Sequence, residues 1–144
     1  MMYTTTIQEM IDKHGYEVIT EESLDKFQRE NKEVVLFFTE NGNNYPESND
    51  VAIILPELMK AFDGLITPAV VNRESERPLQ RKYRFKGYPA LVFLRDGQYV
   101  GTISKVRDWL EYIDEFKTML KTDPTPPPAF DLDNICPGSV PAKV

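Results

Sequence analysis

The sequence predicts an α/β fold, a three-layer sandwich in which a central mixed β-sheet has helices on both faces. Three observations predict it: short apolar runs alternate with amphipathic segments, residues 34–38 are apolar without a break, and Asp96-Gly97 separates two further apolar runs. The alternation favours parallel strands joined by helical crossovers. An unbroken apolar run suits a central strand, and Asp-Gly is a favoured hairpin turn that adds antiparallel strands.

Each element of this order has its own signal. Apolar residues at helical spacing predict helices that begin near residues 7, 51 and 106, and a strongly basic stretch predicts another at residues 75–85. Thr20, followed by two glutamates, is the expected start of a helix that carries Leu24 and Phe27 inward. Apolar runs rich in β-branched and aromatic residues predict strands at residues 16–19, 34–38, 65–71, 90–94 and 98–103.

Residues that cap or break helices set the expected boundaries. Thr6 is expected to cap the first helix and Gly15 to end it. Turn residues predict a loop at residues 39–50, and Pro56 is expected to kink the helix that follows. In the last helix, an apolar stripe that includes Trp109 is expected to face the core.

The composition predicts one domain followed by a tail. A chain of 144 residues with 41% hydrophobic residues can fill a single core. Residues 1–122 are expected to form the domain, with the first helix as an N-terminal extension. Six of the 11 prolines lie in residues 124–144, so residues 123–144 are expected to be an extended or disordered tail.

Charge and hydropathy restrict the partners. A formal net charge of −6 argues against nucleic acid, whose phosphates are bound by clustered lysine and arginine, and favours a basic or apolar partner. The longest apolar runs are far shorter than a membrane span, so no membrane insertion is expected. The first 19 residues have neither the charged start nor the apolar centre of an export signal, so a cytoplasmic location is expected.

Metal and cofactor sites are not expected. Cys136 is the only cysteine, so it has no intramolecular disulfide partner and cannot build a cysteine zinc site. His14 is the only histidine and stands before Gly15 at an expected helix end, where a histidine commonly meets the last carbonyls. We therefore predict no structural metal and no cofactor.

Several motifs resemble thioredoxin. Pro56 lies inside the helix after the central strand, and Lys86-Gly87-Tyr88-Pro89 leads into the next strand. The resemblance implies that Pro89 is the cis-proline of that fold. It also places the reactive cysteine pair at the ends of Ser48-Asn49-Asp50-Val51, where this chain has no sulfur. Without a nearby histidine as base, Ser48 is not expected to be a nucleophile, so no catalytic residue is predicted. Ser48 and Asp50 are expected to be helix caps.

A narrower resemblance covers about the same hundred residues. The run at 34–38, then Pro46-Glu47-Ser48-Asn49-Asp50, Pro56-Glu57-Leu58 and the stretch 87–93 are similar to the HyaE/HupG family of NiFe-hydrogenase maturation proteins. The resemblance implies a thioredoxin-like chaperone without the dithiol. It implies binding of the twin-arginine signal peptide of the hydrogenase small-subunit precursor before export. Other maturation proteins are further candidate partners.

Acidic and aromatic residues form the expected peptide-binding set. Between residues 39 and 63 there are five acidic residues and one lysine. A twin-arginine signal joins a basic start to an apolar stretch, so carboxylates beside aromatic rings are complementary to it. The alternative is a solvated acidic loop without a partner. The expected peptide-binding residues are Glu40, Tyr45, Glu47, Asp50, Glu57, Tyr88 and Pro89.

Two other functions stay open. One is a thiol–disulfide redox protein that acts through Cys136, although a flexible tail offers no fixed charge to stabilise a thiolate. The other is a non-enzymatic scaffold subunit. A basic cluster could serve a second partner or self-association, but such a run is more often a solvated helix face; its members are Arg73, Arg77, Arg81, Lys82, Arg84 and Lys86.

Overall fold

Five helices and five strands alternate along residues 3–40 and 45–128, the part of the chain that a computed structural model describes. The helices are α1 (Thr5–His14), α2 (Leu24–Glu30), α3 (Glu47–Ala61), α4 (Arg73–Tyr83) and α5 (Trp109–Lys121). The strands are β1 (Glu17–Ile19), β2 (Glu33–Phe38), β3 (Thr67–Val71), β4 (Ala90–Arg95) and β5 (Gln98–Ser104). The predicted order of elements is confirmed.

The strands form one mixed sheet in the order β1-β3-β2-β4-β5. β3 runs parallel to β1 and β2, whereas β4 runs antiparallel to β2 and β5. β2 is the central strand, and Phe38 at its end pairs with Ala90 at the start of β4. The mixed sheet predicted from the crossovers and the Asp96-Gly97 hairpin is confirmed.

Helices pack on both faces of this sheet. Side chains of α1, α3 and α5 form one apolar cluster with Val35 and Phe37 of β2. Side chains of α2 and α4 form a second cluster with Val34, Leu36 and Phe38. Successive residues of a strand point to opposite faces, so an unbroken apolar run is needed where both faces are covered. This arrangement confirms the three-layer sandwich.

The first helix begins earlier than predicted. Thr4, not Thr6, is its N-cap, and the Thr4 side chain accepts a hydrogen bond from the backbone N–H of Ile7. Thr4, Thr5 and Thr6 are consecutive threonines, and the preference for a hydroxyl at the N-cap does not distinguish among them. Gly15 adopts a left-handed conformation with φ of 66° and ends the helix as predicted.

α2 and α4 also begin at residues other than those predicted. The Thr20 N–H donates to the Ser23 hydroxyl and the Ser23 N–H donates back to the Thr20 hydroxyl, at 2.8 and 3.1 Å, which is the reciprocal pattern of a capping box. These two bonds close a turn, and α2 begins only at Leu24. Asn72 caps α4, so this helix begins at Arg73, two residues before the predicted start.

The prediction that Trp109 belongs to the core is wrong. A capping box with Asp108 as N-cap fixes the start of α5 at Trp109. Trp109 therefore lies in the exposed first turn and is 42% exposed, next to Leu110 at 72%. The core-facing residues of α5 are Tyr112 and Phe116, which are fully buried.

The tail is described only as far as residue 128. Residues 123–128 have no helix or strand, and the N–H of Thr125 donates to the carbonyl of Tyr99 at 2.8 Å. The rest of the expected disordered tail, with Cys136, lies outside the described residues, as do residues 41–44 of the expected loop. In the described part of the chain, no helix is both long and apolar enough to span a membrane.

Candidate functional site

The candidate site is the surface where β2 ends, α3 begins and β4 starts. We call it the proline edge and define it as residues 39–40, 45–50 and 88–89. The Tyr88–Pro89 peptide bond is cis. The Pro89 carbonyl accepts a hydrogen bond from the N–H of Lys105 at 2.9 Å, just beyond β5. Pro89 thus lies between the end of β2 and the end of β5, because Ala90 pairs with both Phe38 and Ser104.

Ser48 and Val51 occupy the two positions that the thioredoxin resemblance assigns to cysteines. Ser48 is fully buried, and its hydroxyl donates to the carbonyl of Thr39 at 2.7 Å. Val51 is 2% exposed and packs in the α1–α3–α5 core. The hydroxyl at this position therefore links α3 to β2 and does not face solvent.

The prediction that Ser48 and Asp50 are helix caps is wrong. α3 begins at Glu47, inside the segment predicted as a loop, so both residues lie within the helix. Pro46 is the N-cap and makes no side-chain capping bond. The partner of Ser48 is Thr39, nine residues earlier in the chain. A local capping preference cannot reveal such a partner.

The two tyrosines of the proline edge differ in exposure. Tyr88 is 7% exposed, its hydroxyl donates to Gln80 at 2.8 Å, and the guanidinium of Arg77 lies 5.6 Å from its ring centroid. Burial raises the pKa of Tyr88, so its phenol stays protonated. The Tyr45 ring lies 5.7 Å from the Tyr88 ring and is 37% exposed. Tyr45 therefore provides the exposed aromatic surface of the proline edge, and the buried ring of Tyr88 packs against it.

Glu40 is held by two arginines of α4. Its carboxylate accepts hydrogen bonds from Arg73 at 3.1 Å and from Arg77 at 2.5 Å. Its side chain is only 12% exposed, and its backbone is left-handed with φ of 57°. The structure thus neutralises one of the carboxylates that the sequence places in the acidic loop.

Glu76 was missed by the sequence analysis. It is 2% exposed, and one of its carboxylate oxygens accepts the backbone N–H groups of Thr39 and Glu40 at 2.9 and 3.0 Å. Arg73 lies 3.2 Å from the other oxygen. Burial raises the pKa of Glu76 to about 7, against the opposing effect of these N–H groups and of Arg73. The available signal was its spacing of three residues before the core residue Leu79.

The remaining acidic residues divide into two groups. Glu47 and Asp50 lie exposed in the first turn of α3, where the helix dipole favours negative charge. Neither makes an ion pair with a residue in the described ranges. Glu57 lies about 15 Å from Glu47 along the axis of the same helix. It pairs with Lys60 at 3.4 Å. The structure thus brings together six of the seven expected residues and separates Glu57 from them.

The site offers no metal-binding cluster within the described residues. No group of three or more histidine, cysteine, aspartate or glutamate side chains is arranged there to hold a metal ion. The carboxylates of Glu40 and Glu76 are instead directed at arginines and backbone N–H groups.

Comparison with known proteins identifies a family that matches most of the chain. The family model described as "Hydrogenase-1 expression protein HyaE" matches residues 6–112, a range that includes the whole proline edge. The chain belongs to the HyaE family. Among similar proteins in that comparison, HoxO of Azotobacter vinelandii, a hydrogenase expression/formation protein, is 40% identical over 114 residues, which cover 79% of this chain and 76% of HoxO. HupG of Rhizobium leguminosarum bv. viciae, of the same description, is 35% identical over 126 residues and 85% of each chain.

Two solved structures resemble this member of the HyaE family. A putative hydrogenase expression/formation protein hupG from Rhodopseudomonas palustris CGA009 is 34% identical, with a TM-score of 0.53 over 73% of this chain and 95% of its own. A mutant thioredoxin from Halobacterium salinarum NRC-1 has a TM-score of 0.60 at 20% identity, over 77% of this chain and 93% of its own. The predicted thioredoxin-like fold and the predicted family are both confirmed.

Proposed function

We propose that this chain is a non-catalytic assembly chaperone for hydrogenase. In this proposal it acts in the cytoplasm, where its proline edge binds the twin-arginine signal peptide of the small-subunit precursor before export. The names of its relatives support the link to hydrogenase. The observation that carries the binding role is the contrast within the edge. Ser48, at the position of a thioredoxin cysteine, is buried and hydrogen-bonded, whereas Tyr45, Glu47 and Asp50 face solvent.

Chemistry at the edge finds little support in the side chains present. A serine hydroxyl becomes a nucleophile when a base accepts its proton, and the Ser48 hydroxyl donates to a backbone carbonyl instead. The sole histidine, His14, stacks on Tyr16 at the end of α1, with ring centroids 5.6 Å apart. A binding role uses the same geometry without requiring a reactive group.

The exposed groups suit a peptide that is basic at one end and apolar beyond it. Glu47 and Asp50 supply carboxylates that an arginine can engage with paired hydrogen bonds, and Tyr45 supplies an apolar face. Exposed ion pairs contribute only about 0–1 kcal/mol each. We therefore assign most of the affinity to apolar contact, and orientation and association rate to charge.

Isothermal titration calorimetry with a synthetic twin-arginine signal peptide tests the proposal. We expect a Kd of about 1 μM or tighter. Added salt should weaken binding, and Glu47→Lys with Asp50→Lys should weaken it about tenfold. The matched control is Glu30→Lys with Asp63→Lys, an equal charge change at the opposite end of the strands, which should leave the Kd unchanged. The proposal fails if neither the peptide nor the intact precursor binds.

Recovery from cells distinguishes a chaperone from a scaffold subunit. A chaperone that acts before export should co-purify with the uncleaved small-subunit precursor and with little of the exported enzyme. A scaffold subunit should instead co-purify with mature hydrogenase. Insulin reduction that is lost in Cys136→Ser would favour the redox alternative over both.

A further inference from the structure

The free edge of β5 is covered by the chain itself. β5 is the last strand of the sheet and pairs with β4 alone. Beside it, the N–H of Thr125 donates to Tyr99 at 2.8 Å, and Arg84 donates to the carbonyl of Pro128 at 3.2 Å. Four of the five residues 124–128 are prolines, which have no N–H to offer another strand. Prolines along an edge strand prevent pairing with further strands.

This covering segment leads into a basic groove. The groove lies between the end of α4 and β5 and has a volume of about 490 Å³. Arg84, Lys86 and Lys105 line it together with the rings of Phe85 and Tyr99, and no acidic side chain lines it within the described residues. Pro128 is itself part of the lining. The groove therefore suits a segment that combines negative charge with apolar side chains.

The sequence after Pro128 has this chemistry. Phe130-Asp131-Leu132-Asp133 alternates apolar and acidic residues, and in an extended chain these two kinds of side chain point to opposite sides. The acidic side can meet the three cations, while the apolar side packs on the small exposed parts of Phe85 and Tyr99, which are 8% and 9% exposed. Only one residue separates Pro128 from Phe130, so at about 3.3–3.6 Å per residue the segment needs no long connection to enter.

We propose that residues 130–133 occupy the basic groove of their own chain and so fasten the proline-rich segment over β5. The docked tail would have two attachments, one at Thr125 and one in the groove. Together they close this edge of the sheet to other strands. This proposal does not depend on the proposed function, because no residue that lines the groove belongs to the proline edge and the signal-peptide carboxylates lie on α3.

A nitroxide label on Cys136 tests the proposal in the full chain. Cys136 is the sole cysteine, so the native sequence takes one label without any substitution. In spectra of the isotope-labelled protein, we expect strong paramagnetic broadening of the amide signals of Thr102 and Lys105. The amides of Glu30 and Asp63, at the far end of the sheet, should stay sharp.

Charge exchange provides the control. Asp131→Lys with Asp133→Lys should reduce the broadening at the groove severalfold, to that of a tail held only at Thr125 and Pro128, and Lys86→Glu with Lys105→Glu in the same chain should restore it. Unchanged amide positions at Glu30 and Asp63 would verify that each variant remains folded. The proposal is overturned if broadening is absent, is equal over the whole sheet, or is unaffected by the charge reversal.

A mixed sample separates intramolecular docking from binding to a second copy. It combines nitroxide-labelled chain without isotope and isotope-labelled Cys136→Ser chain without nitroxide. Under intramolecular docking, no groove amide is broadened in this mixture. The proposal would be overturned in favour of exchange between copies if broadening in the mixture were as strong as in the chain that carries both the nitroxide and the isotope.

Discussion

The hydroxyl of Ser48 donates a 2.7 Å hydrogen bond to the carbonyl of Thr39, and both residues are fully buried. This bond joins the first turn of α3 to the end of β2. The thioredoxin resemblance assigns the first reactive cysteine of that fold to the position of Ser48. In this chain the same position holds together the two elements that carry the proline edge, so replacing Ser48 should affect stability.

Ser48→Ala should lower the free energy of unfolding by about 1–3 kcal/mol, because it leaves the buried carbonyl of Thr39 without its donor. The matched control is Thr118→Ala. Its hydroxyl also donates to a backbone carbonyl, that of Asp114 at 2.9 Å, but in an exposed position where water replaces the bond. Urea unfolding of both variants measures the difference. Equal effects of the two substitutions would contradict a structural role for the Ser48 hydroxyl.

Glu76 should make stability depend on pH between its ordinary pKa and its pKa in the folded chain. Burial raises this pKa from 4.5 to about 7, so the folded state favours the protonated carboxyl. The stabilising contribution is fully present below pH 4.5 and is lost as the pH rises through about 7. The corresponding loss in the free energy of unfolding is about 3 kcal/mol.

Comparison with Glu76→Gln isolates this effect, since the amide does not titrate. Urea unfolding from pH 4.5 to 8 should show wild type losing about 3 kcal/mol relative to the variant. Glu74→Gln, at an exposed position of the same helix, should run parallel to wild type. If the free energies of unfolding of wild type and Glu76→Gln depend on pH in the same way, the folded chain does not raise the pKa of Glu76.

The fold could be predicted from the sequence because its signals are local. The apolar run of β2, the Asp96-Gly97 turn and the left-handed Gly15 each act within a few residues, and each was confirmed. The site was harder to predict because its decisive contacts cross the chain. Ser48 contacts Thr39, and Glu76 contacts Thr39 and Glu40, which lie 37 and 36 positions earlier in the chain. A count of charges in the loop could not show that α4 neutralises Glu40.

The different exposure of Trp109 and Phe116 predicts that substitutions at these two positions of α5 differ in their effect on stability. Phe116 is fully buried and packs edge-to-face on Phe93 with ring centroids 4.8 Å apart, whereas Trp109 is 42% exposed. Phe116→Ala should lower the free energy of unfolding by about 3–5 kcal/mol, and Trp109→Ala by less than about 1 kcal/mol. Urea unfolding measures both. The sole tryptophan should also be readily quenched by iodide in the folded protein. A large destabilisation by Trp109→Ala would contradict its exposed position.

Burial is the main cause of the raised pKa of Glu76, and the carboxylate of Glu40 should add to it. The Glu40 carboxylate repels that of Glu76 and is one cause of the raised pKa, while it also shares Arg73 with Glu76. Glu40→Gln removes the negative charge and keeps the size of the side chain. The like-charge repulsion then disappears and Arg73 is left to pair with Glu76 alone, so the pKa of Glu76 should fall.

A titration followed by the side-chain carboxyl carbon signal of Glu76 measures this change. Its midpoint should move to lower pH in Glu40→Gln. Glu47→Gln is the control, because Glu47 carries the same charge at the same edge but is not among the groups that influence Glu76. The midpoint of the Glu76 titration in Glu47→Gln should equal the midpoint in wild type. A midpoint that stays fixed in Glu40→Gln would show that burial alone sets the pKa. One that rises would show that Glu40 holds the two arginines in place for Glu76.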